Sequence, residues 1–311
     1  MSTQLASDAV ARFLRGVAVV FLVVTIVFVL SRATGDPINY LAPIEATAEE
    51  IEGIKDRLGL NDPLVEQYGR FLADTVQLDF GKSFRAQRPA IEVVRERVLN
   101  TVLLGVVALV FAFAVGIPFG IIAAVRRGGG VDLISRLFAL LGQAVPNFWL
   151  GLMLILFLAV NFDFLPTGGR VGVTSFILPG ITLGSFPAAA VMRFTRSSML
   201  DTLQQDYIRT ARAKGLNERG VIAKHALRNS MLAVVTLLGL QVGGILAGSV
   251  VVETVFAWPG LGFLIIQSIR ATDYPVVQAA VIMTSIWIVF VNFVVDVSYS
   301  FLDPRIRTGV N

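Results

Sequence analysis

Cysteine is absent from the 311 residues, and histidine occurs once, at His225. These two absences exclude a disulfide framework, a thiolate metal site, a cysteine nucleophile and the paired-histidine zinc motif. Charge is also scarce: Asp, Glu, Lys and Arg make up 15% of the chain, where a globular protein carries about 25%. With 55% hydrophobic residues, the composition is too apolar for a soluble domain. A net charge of +4 does not argue for nucleic-acid binding, because the basic residues stand between long apolar runs. Catalytic signatures are missing as well. Gly81-Lys82-Ser83 ends like a phosphate-binding loop, but Val76 stands where the first glycine belongs. Gly128-Gly129-Gly130 reads as a flexible turn. No catalytic residue, no metal site and no cofactor bound by this chain are therefore expected.

What is present is a series of apolar stretches. A membrane-spanning helix needs about 20 predominantly apolar residues, and backbone groups in hydrocarbon must be bonded internally. Six spans are predicted: Val10–Ser31, Val98–Val125, Leu137–Phe162, Val173–Met192, Asn229–Val252 and Tyr274–Val295. The fold class is thus an all-α membrane protein. Residues 1–31 form the N-terminus and first helix, 32–97 a long outer loop, 98–303 the membrane core with a cytoplasmic segment at 193–228, and 304–311 a tail. An uncleaved first helix is favoured, because the flank after it lacks a small-x-small cleavage site.

The basic residues orient the chain. Arg12 and Arg15, then Arg126, Arg127 and Arg136, then eight basic residues in Arg193–Arg228, then Arg305 and Arg307, fall on the side of the N-terminus. The two short connections on the other side hold only Arg170 and Arg270. Positive charge accumulates on the cytoplasmic side, so both termini are expected in the cytoplasm. The nine basic residues of the long loop do not contradict this, since loops beyond about 60 residues translocate largely regardless of charge.

Pro118, Pro146, Pro179 and Pro187 interrupt helices two to four, and Gly180 and Gly184 add small residues to the fourth. Bends and small residues suit close helix packing, or a helix that lines a pathway; Pro179, Gly184, Pro187 and Gly243 are the candidates for the second role. Gly239, Gly243, Gly244 and Gly248 form a similar face on helix five. Glu253 and Asp296 lie near span ends, where a structural or pairing role is expected. No series of mid-membrane Asp, Glu or His residues exists for proton relay. In the long loop, Thr47-Ala48-Glu49-Glu50 before Ile51, Ile54 and Leu58 predicts a capped amphipathic helix. Gly59 to Pro63 ends it, and Leu64 to Leu78 reads as a second short helix.

The segment Met192–Arg228 is the most informative. Leu200, Leu203 and Tyr207 share a helical face, Gly215 breaks the run, and Asn217-Glu218 starts a second short helix through His225. Periodicity alone fits either an amphipathic pair resting on anionic lipid or a docking element for a cytoplasmic partner, with Gly215 as its hinge. The run Asp206-Tyr207-Ile208-Arg209-Thr210-Ala211-Arg212-Ala213-Lys214-Gly215-Leu216 resembles the coupling loop of ABC importer permeases, especially the dipeptide, oligopeptide, nickel and glutathione branch. The family's Glu-Ala-Ala triplet falls on Arg209, Thr210 and Ala211, and its closing Ile-x-Leu-Pro on His225, Leu227 and Arg228. Gly35-Asp36-Pro37, Leu58-Gly59-Leu60-Asn61-Asp62-Pro63-Leu64, Asp79-Phe80-Gly81-Lys82-Ser83, Glu253 to Gly262 and Asp303-Pro304-Arg305-Ile306-Arg307 are similar to further stretches of that branch, in the same order.

The resemblance implies a B-type permease of the bacterial plasma (inner) membrane that forms half of a pathway for peptides or related small solutes. It implies four kinds of neighbour: a second homologous permease, two cytoplasmic ATP-binding subunits that carry ATP and Mg, an extracytoplasmic solute-binding protein, and the lipid bilayer. Asp206, Tyr207, Arg209, Thr210, Ala211, Arg212, Lys214 and Gly215 are then the ATPase-coupling residues, and Phe256, Trp258 and Pro259 the candidates for docking the binding protein. A membrane scaffold or receptor without ATPase coupling, or a secondary carrier, is the competing expectation.

Overall fold

The computed structural model describes residues 2–33, 47–57 and 59–302. Gly35-Asp36-Pro37, Leu58 and the tail from Asp303 lie outside the described residues, as do the side chains of several residues between 232 and 242, Gly239 included. The helices follow in chain order: α1 (Ser2–Ala33), α2 (Ala48–Arg57), α3 (Leu64–Val76), α4 (Ala90–Val125), α5 (Gly130–Ala144), α6 (Asn147–Leu154, extended by a π turn Ile155–Val160), α7 (Ile177–Leu203), α8 (Asp206–Ala213), α9 (Glu218–Gly220), α10 (Leu227–Val255), α11 (Leu261–Arg270) and α12 (Tyr274–Leu302). Among the described residues there is no β-strand, only an isolated bridge between Lys82 and Pro89.

Four helical stretches are long and apolar enough to cross a membrane: Val10–Ala33, Ala90–Val125, Val173–Leu203 and Tyr274–Val297. The expected third span is not one straight helix. It breaks between α5 and α6, whose axes differ by 108°, and counts as a fifth span only if the pair is taken together. The break has a local cause: Pro146 has no N–H to donate, and its ring forces the preceding residue out of the helical region. Val145 is accordingly extended, at φ −78° and ψ 123°. α10 is a continuous helix of 29 residues, and its stretch 229–252 contains no charged residue.

The chain divides into two units, Met1–Leu99 with Gly260–Phe290, and Asn100–Pro259 with Val291–Asn311. In the first, Val24 and Val27 of α1 pack with Val93 and Val94 of α4, Leu261 and Leu264 of α11, and Val276, Ala280 and Ile282 of α12. The two expected loop helices are present here. Thr47 N–H and Glu50 Oε2 are 2.8 Å apart, and Glu50 N–H reaches back to Thr47 Oγ1 at 3.3 Å, the reciprocal capping box. Ser83, the residue that completes the imitation of a phosphate loop, is spent on structure. Its Oγ donates to the buried Asp273 carboxylate at 2.5 Å, which also accepts from Phe84 N–H at 3.1 Å.

The second unit is built around α7. Of its apolar window 78% is buried inside the chain, against 11% for the windows of α1 and α12. Glycines make that burial possible. A Cβ on Gly116 or Gly120 of α4 would stand 2.8 or 2.7 Å from the carbonyl oxygens of Ala188 or Met192 on α7. Conversely, a Cβ on Gly184 would lie 2.6 Å from Ala108 O, and one on Gly180 2.6 Å from Val107 Cγ1. Small residues on both helices let the backbones approach, as in tightly crossed membrane helices.

Candidate functional site

The segment after α7 forms a corner. α7 runs to Leu203, so Leu200 and Leu203 belong to it and not to the helix of Tyr207 as the periodicity suggested; Gln204 and Gln205 separate the two. α8 buries one side. Ile208 is fully buried and Ala211 nearly so, packed with Ala124 of α4, Met199 of α7, and Val221 and Ala226 beyond the corner. The opposite side of α8 is solvent-facing, with the Arg209 side chain 76% exposed. Tyr207 is exposed and its hydroxyl accepts from Asn229 Nδ2 at 2.9 Å.

Gly215 ends α8 in the left-handed conformation, at φ +76°. Its N–H donates to Arg212 O at 2.9 Å, and Leu216 N–H to Ala211 O at 3.4 Å, the double bond of a Schellman cap. Asn217 then caps the next helix through Oδ1, which accepts from Gly220 N–H at 2.7 Å. Across the corner Arg212 grips Glu218 with two hydrogen bonds, Nε to Oε2 at 3.1 Å and Nη2 to Oε1 at 2.7 Å. Those bonds hold the Glu218 carboxyl below its ordinary range and push the Arg212 guanidinium up. Gly215, the expected hinge, thus stands in a corner closed by two caps and an ion pair. The second helix is not short either, since α9 continues through a π turn (Val221–Ala226) into α10.

The other expected site residues are placed differently from one another. Pro179, Gly184 and Pro187 of α7 are buried within the chain, and Gly184 lies against Ala108 of α4. Gly243 faces Asn292, whose Oδ1 would lie 2.7 Å from a Cβ there; it is a packing position. Phe256 and Trp258 were expected on the docking surface, but both are fully buried. Trp258 packs edge-on against Phe176 at 4.6 Å and donates Nε1–H to Asn100 O at 3.1 Å. The reason is the turn itself: Trp258 N–H bonds Glu253 O at 2.8 Å and Ala257 N–H bonds Thr254 O at 3.3 Å, a second Schellman cap that folds the tryptophan inward.

Sequence reasoning passed over the residues that organise this turn. Asn100 accepts from the Arg170 guanidinium through Oδ1 and donates Nδ2 to Pro259 O at 2.7 Å. Gly169 N–H donates to Phe256 O at 2.8 Å, and a Cβ on Gly168 would sit 2.6 Å from that oxygen. Glu253, expected in a structural or pairing role, is fully buried, and Oε1 accepts from Thr101 Oγ1 at 2.7 Å. An asparagine at the start of an apolar span was the one visible signal. His225 is half-buried, and its carbonyl accepts from Asn229 Nδ2 at 3.2 Å.

Long apolar helices with a charged, capped corner between two of them define a class, the multi-pass helical membrane protein. Residues 116–308 match the family described as binding-protein-dependent transport system inner membrane component, and residues 8–106 match its N-terminal family. The chain belongs to that family and is a multi-pass membrane permease subunit of an ABC importer, working with ATPase and binding-protein subunits. It is 42% identical over 299 residues to the glutathione transport system permease protein GsiC of Escherichia coli K12, covering 96% of this chain and 98% of the relative. The same figures hold for GsiC of Shigella dysenteriae serotype 1. In fold it is similar to a chain of the inward-facing MetNI methionine ABC transporter, with TM-score 0.56 and 18% identity over 68% of this chain and 96% of that one.

Proposed function

We propose that this chain is one of two different permeases in a six-span-per-subunit importer, with both termini in the cytoplasm, and that the 206–218 corner is its ATPase socket. The single observation behind the socket is the contrast across α8. Its foot, Ile208 and Ala211, is buried, while Arg209, Lys214 and Leu216 project from a corner that two caps and an ion pair hold in shape. A rigid, exposed, basic knob on a buried foot suits transmission of a partner's movement into α7 and α10. The chain itself hydrolyses nothing in this reading; ATP and Mg belong to two cytoplasmic partners. Coupling requires that nucleotide and solute each favour one of two states. The domain plan is an N-terminal helix to residue 31, a periplasmic loop at 32–97, a permease core at 98–303 and a short tail.

Peptides or related small solutes are the proposed cargo, with glutathione favoured by the 42% identity to glutathione permeases. The solute-binding protein would dock on the outer loops through residues that flank the Trp258 turn, such as Val171, 85% exposed, and not through Phe256 or Trp258. The absence of native cysteine makes the topology directly testable. A cysteine at position 219 should be shielded from a membrane-impermeant maleimide in intact cells, and one at position 171 should react. The reverse pattern would sink the orientation and the socket with it.

A further inference from the structure

Between α5 and α7 lies a cavity of about 310 Å3, lined by Ser135, Arg136, Leu140, Gln143, Arg193 and Arg196 among others. Three arginines belong to the lining of one small, otherwise largely apolar space. The nearby carboxylate is Asp132, which is buried and already engaged. It accepts from Arg196 Nε at 2.7 Å and Nη2 at 3.1 Å and from Gly128 N–H at 3.1 Å, and Arg136 Nε lies 3.7 Å away. The three lining arginines and the adjacent Asp132 sum to +2 (3 − 1).

Two further donors point to a ligand. Ser135 is 3% exposed and its Oγ has no hydrogen-bond partner among the described residues. Gln143 accepts from Arg193 Nη1 at 3.1 Å through Oε1, and its buried Nε2 has no partner among the described residues. Buried polar groups are nearly always satisfied, and an unmet donor costs free energy. Guanidinium, hydroxyl and amide N–H groups together form a set of donors, which suits a ligand that only accepts, such as a phosphate diester. Beside the cavity α5 exposes Leu133, Ile134, Leu137, Leu140 and Leu141. A charged acceptor head next to an apolar strip describes an amphiphile.

We propose that this cavity binds the headgroup phosphate of an anionic phospholipid, with its acyl chains along the exposed leucine face of α5. Basic pockets between membrane helices on the cytoplasmic side hold such headgroups. The inference rests on the membrane placement of α5 and α7 proposed above. Bound lipid would brace α7 close to the corner that follows it, so the occupancy of this site would set how readily α7 moves.

The test is native mass spectrometry of the whole importer complex in micelles containing phosphatidylglycerol or phosphatidylcholine. Phosphatidylglycerol should be retained in preference. Arg136→Gln and Arg193→Gln should each weaken retention about fivefold, the attraction of one basic residue to an anionic surface. Arg219→Gln, outside the cavity, should not. Ser135→Ala should weaken retention without lowering Tm, because that hydroxyl bonds nothing among the described residues; this variant keeps the test valid if an arginine variant is poorly folded. Arg196 is left intact because it holds buried Asp132. Equal retention of both lipids, or displacement of phosphatidylglycerol by inorganic phosphate alone, would overturn the proposal, the second outcome by assigning the cavity to a free anion. No retention in the complex, with the cavity covered by a partner subunit, would overturn it too. Membrane fractionation of the same variants separates loss of lipid from loss of membrane insertion.

Discussion

Replacing Gly215 isolates the corner from everything around it. A Cβ there meets nothing within 4 Å, so no clash contributes and the whole cost is backbone strain at φ +76°. For an L-residue the left-handed conformation costs ~1–2 kcal/mol, which lowers the population of the capped corner by about 5- to 30-fold. Valine, stiff at Cβ, should lie at or above the top of that range, alanine within it, and asparagine below it because its side chain tolerates the conformation. The foot of α8 is remote from the strain, since Ile208 and Ala211 keep their buried contacts. Membrane levels of the subunit should therefore stay normal while uptake of radiolabelled peptide or glutathione and copurification of the ATPase fall in the order Asn, Ala, Val. Normal uptake by the Gly215→Val variant, or a fall in membrane level that accounts for the loss, would refute the reasoning.

The turn after α10 presents the same cap with the opposite chemistry. Ala257 holds φ +45° in its Schellman corner, so Ala257→Gly should relieve strain and raise Tm by an amount equivalent to about 0.5–1 kcal/mol in a thermal melt of the purified subunit. Ile208→Ala removes a fully buried side chain from the foot of α8 and should cost ~2–5 kcal/mol, seen as lower membrane levels, unlike the Gly215 series. The Arg212–Glu218 pair is 42% and 54% exposed, so it contributes no more than ~1 kcal/mol. Because Glu218 sits below its unfolded value of 4.5, that contribution is fully present above 4.5 and is lost as pH falls through the lower folded value. Limited proteolysis at 214–218 should accelerate over that acid window, and Glu218→Gln should abolish the pH dependence.

Legibility in the sequence followed the range of the interactions. The apolar runs and the Thr47–Glu50 capping box are local: four of the six expected runs stand as span-length helices, and the box is formed. Pro146 announced an interruption, but the 108° turn depends on how α5 and α6 are each held. α11 was not foreseen because Leu261–Arg270 has ten residues, too few for a span, and its apolar side is explained by the core it joins. Burial of Phe256 and Trp258 was hidden for another reason. An aromatic turn at a span end looks like an exposed contact until Asn100 and Phe176, far away in the chain, are seen to close over it. The Asp132–Arg196 pair likewise joins residues 64 positions apart, a separation no local pattern records. Gly215 was legible as a break, whereas its pinning by Arg212 and Glu218 needed the corner to be seen whole.

The socket itself is tested most directly by copurification of the ATPase with the full-length permease carrying Arg209→Glu. That side chain is 76% exposed and pairs with the still more exposed Asp206, at 3.6 Å, so reversing it leaves the buried foot and both caps in place. The account predicts a subunit that inserts at normal levels and no longer retains the ATPase. Full retention of the ATPase by the Arg209→Glu variant, with normal uptake, would contradict the assignment of the 206–218 corner as the docking element.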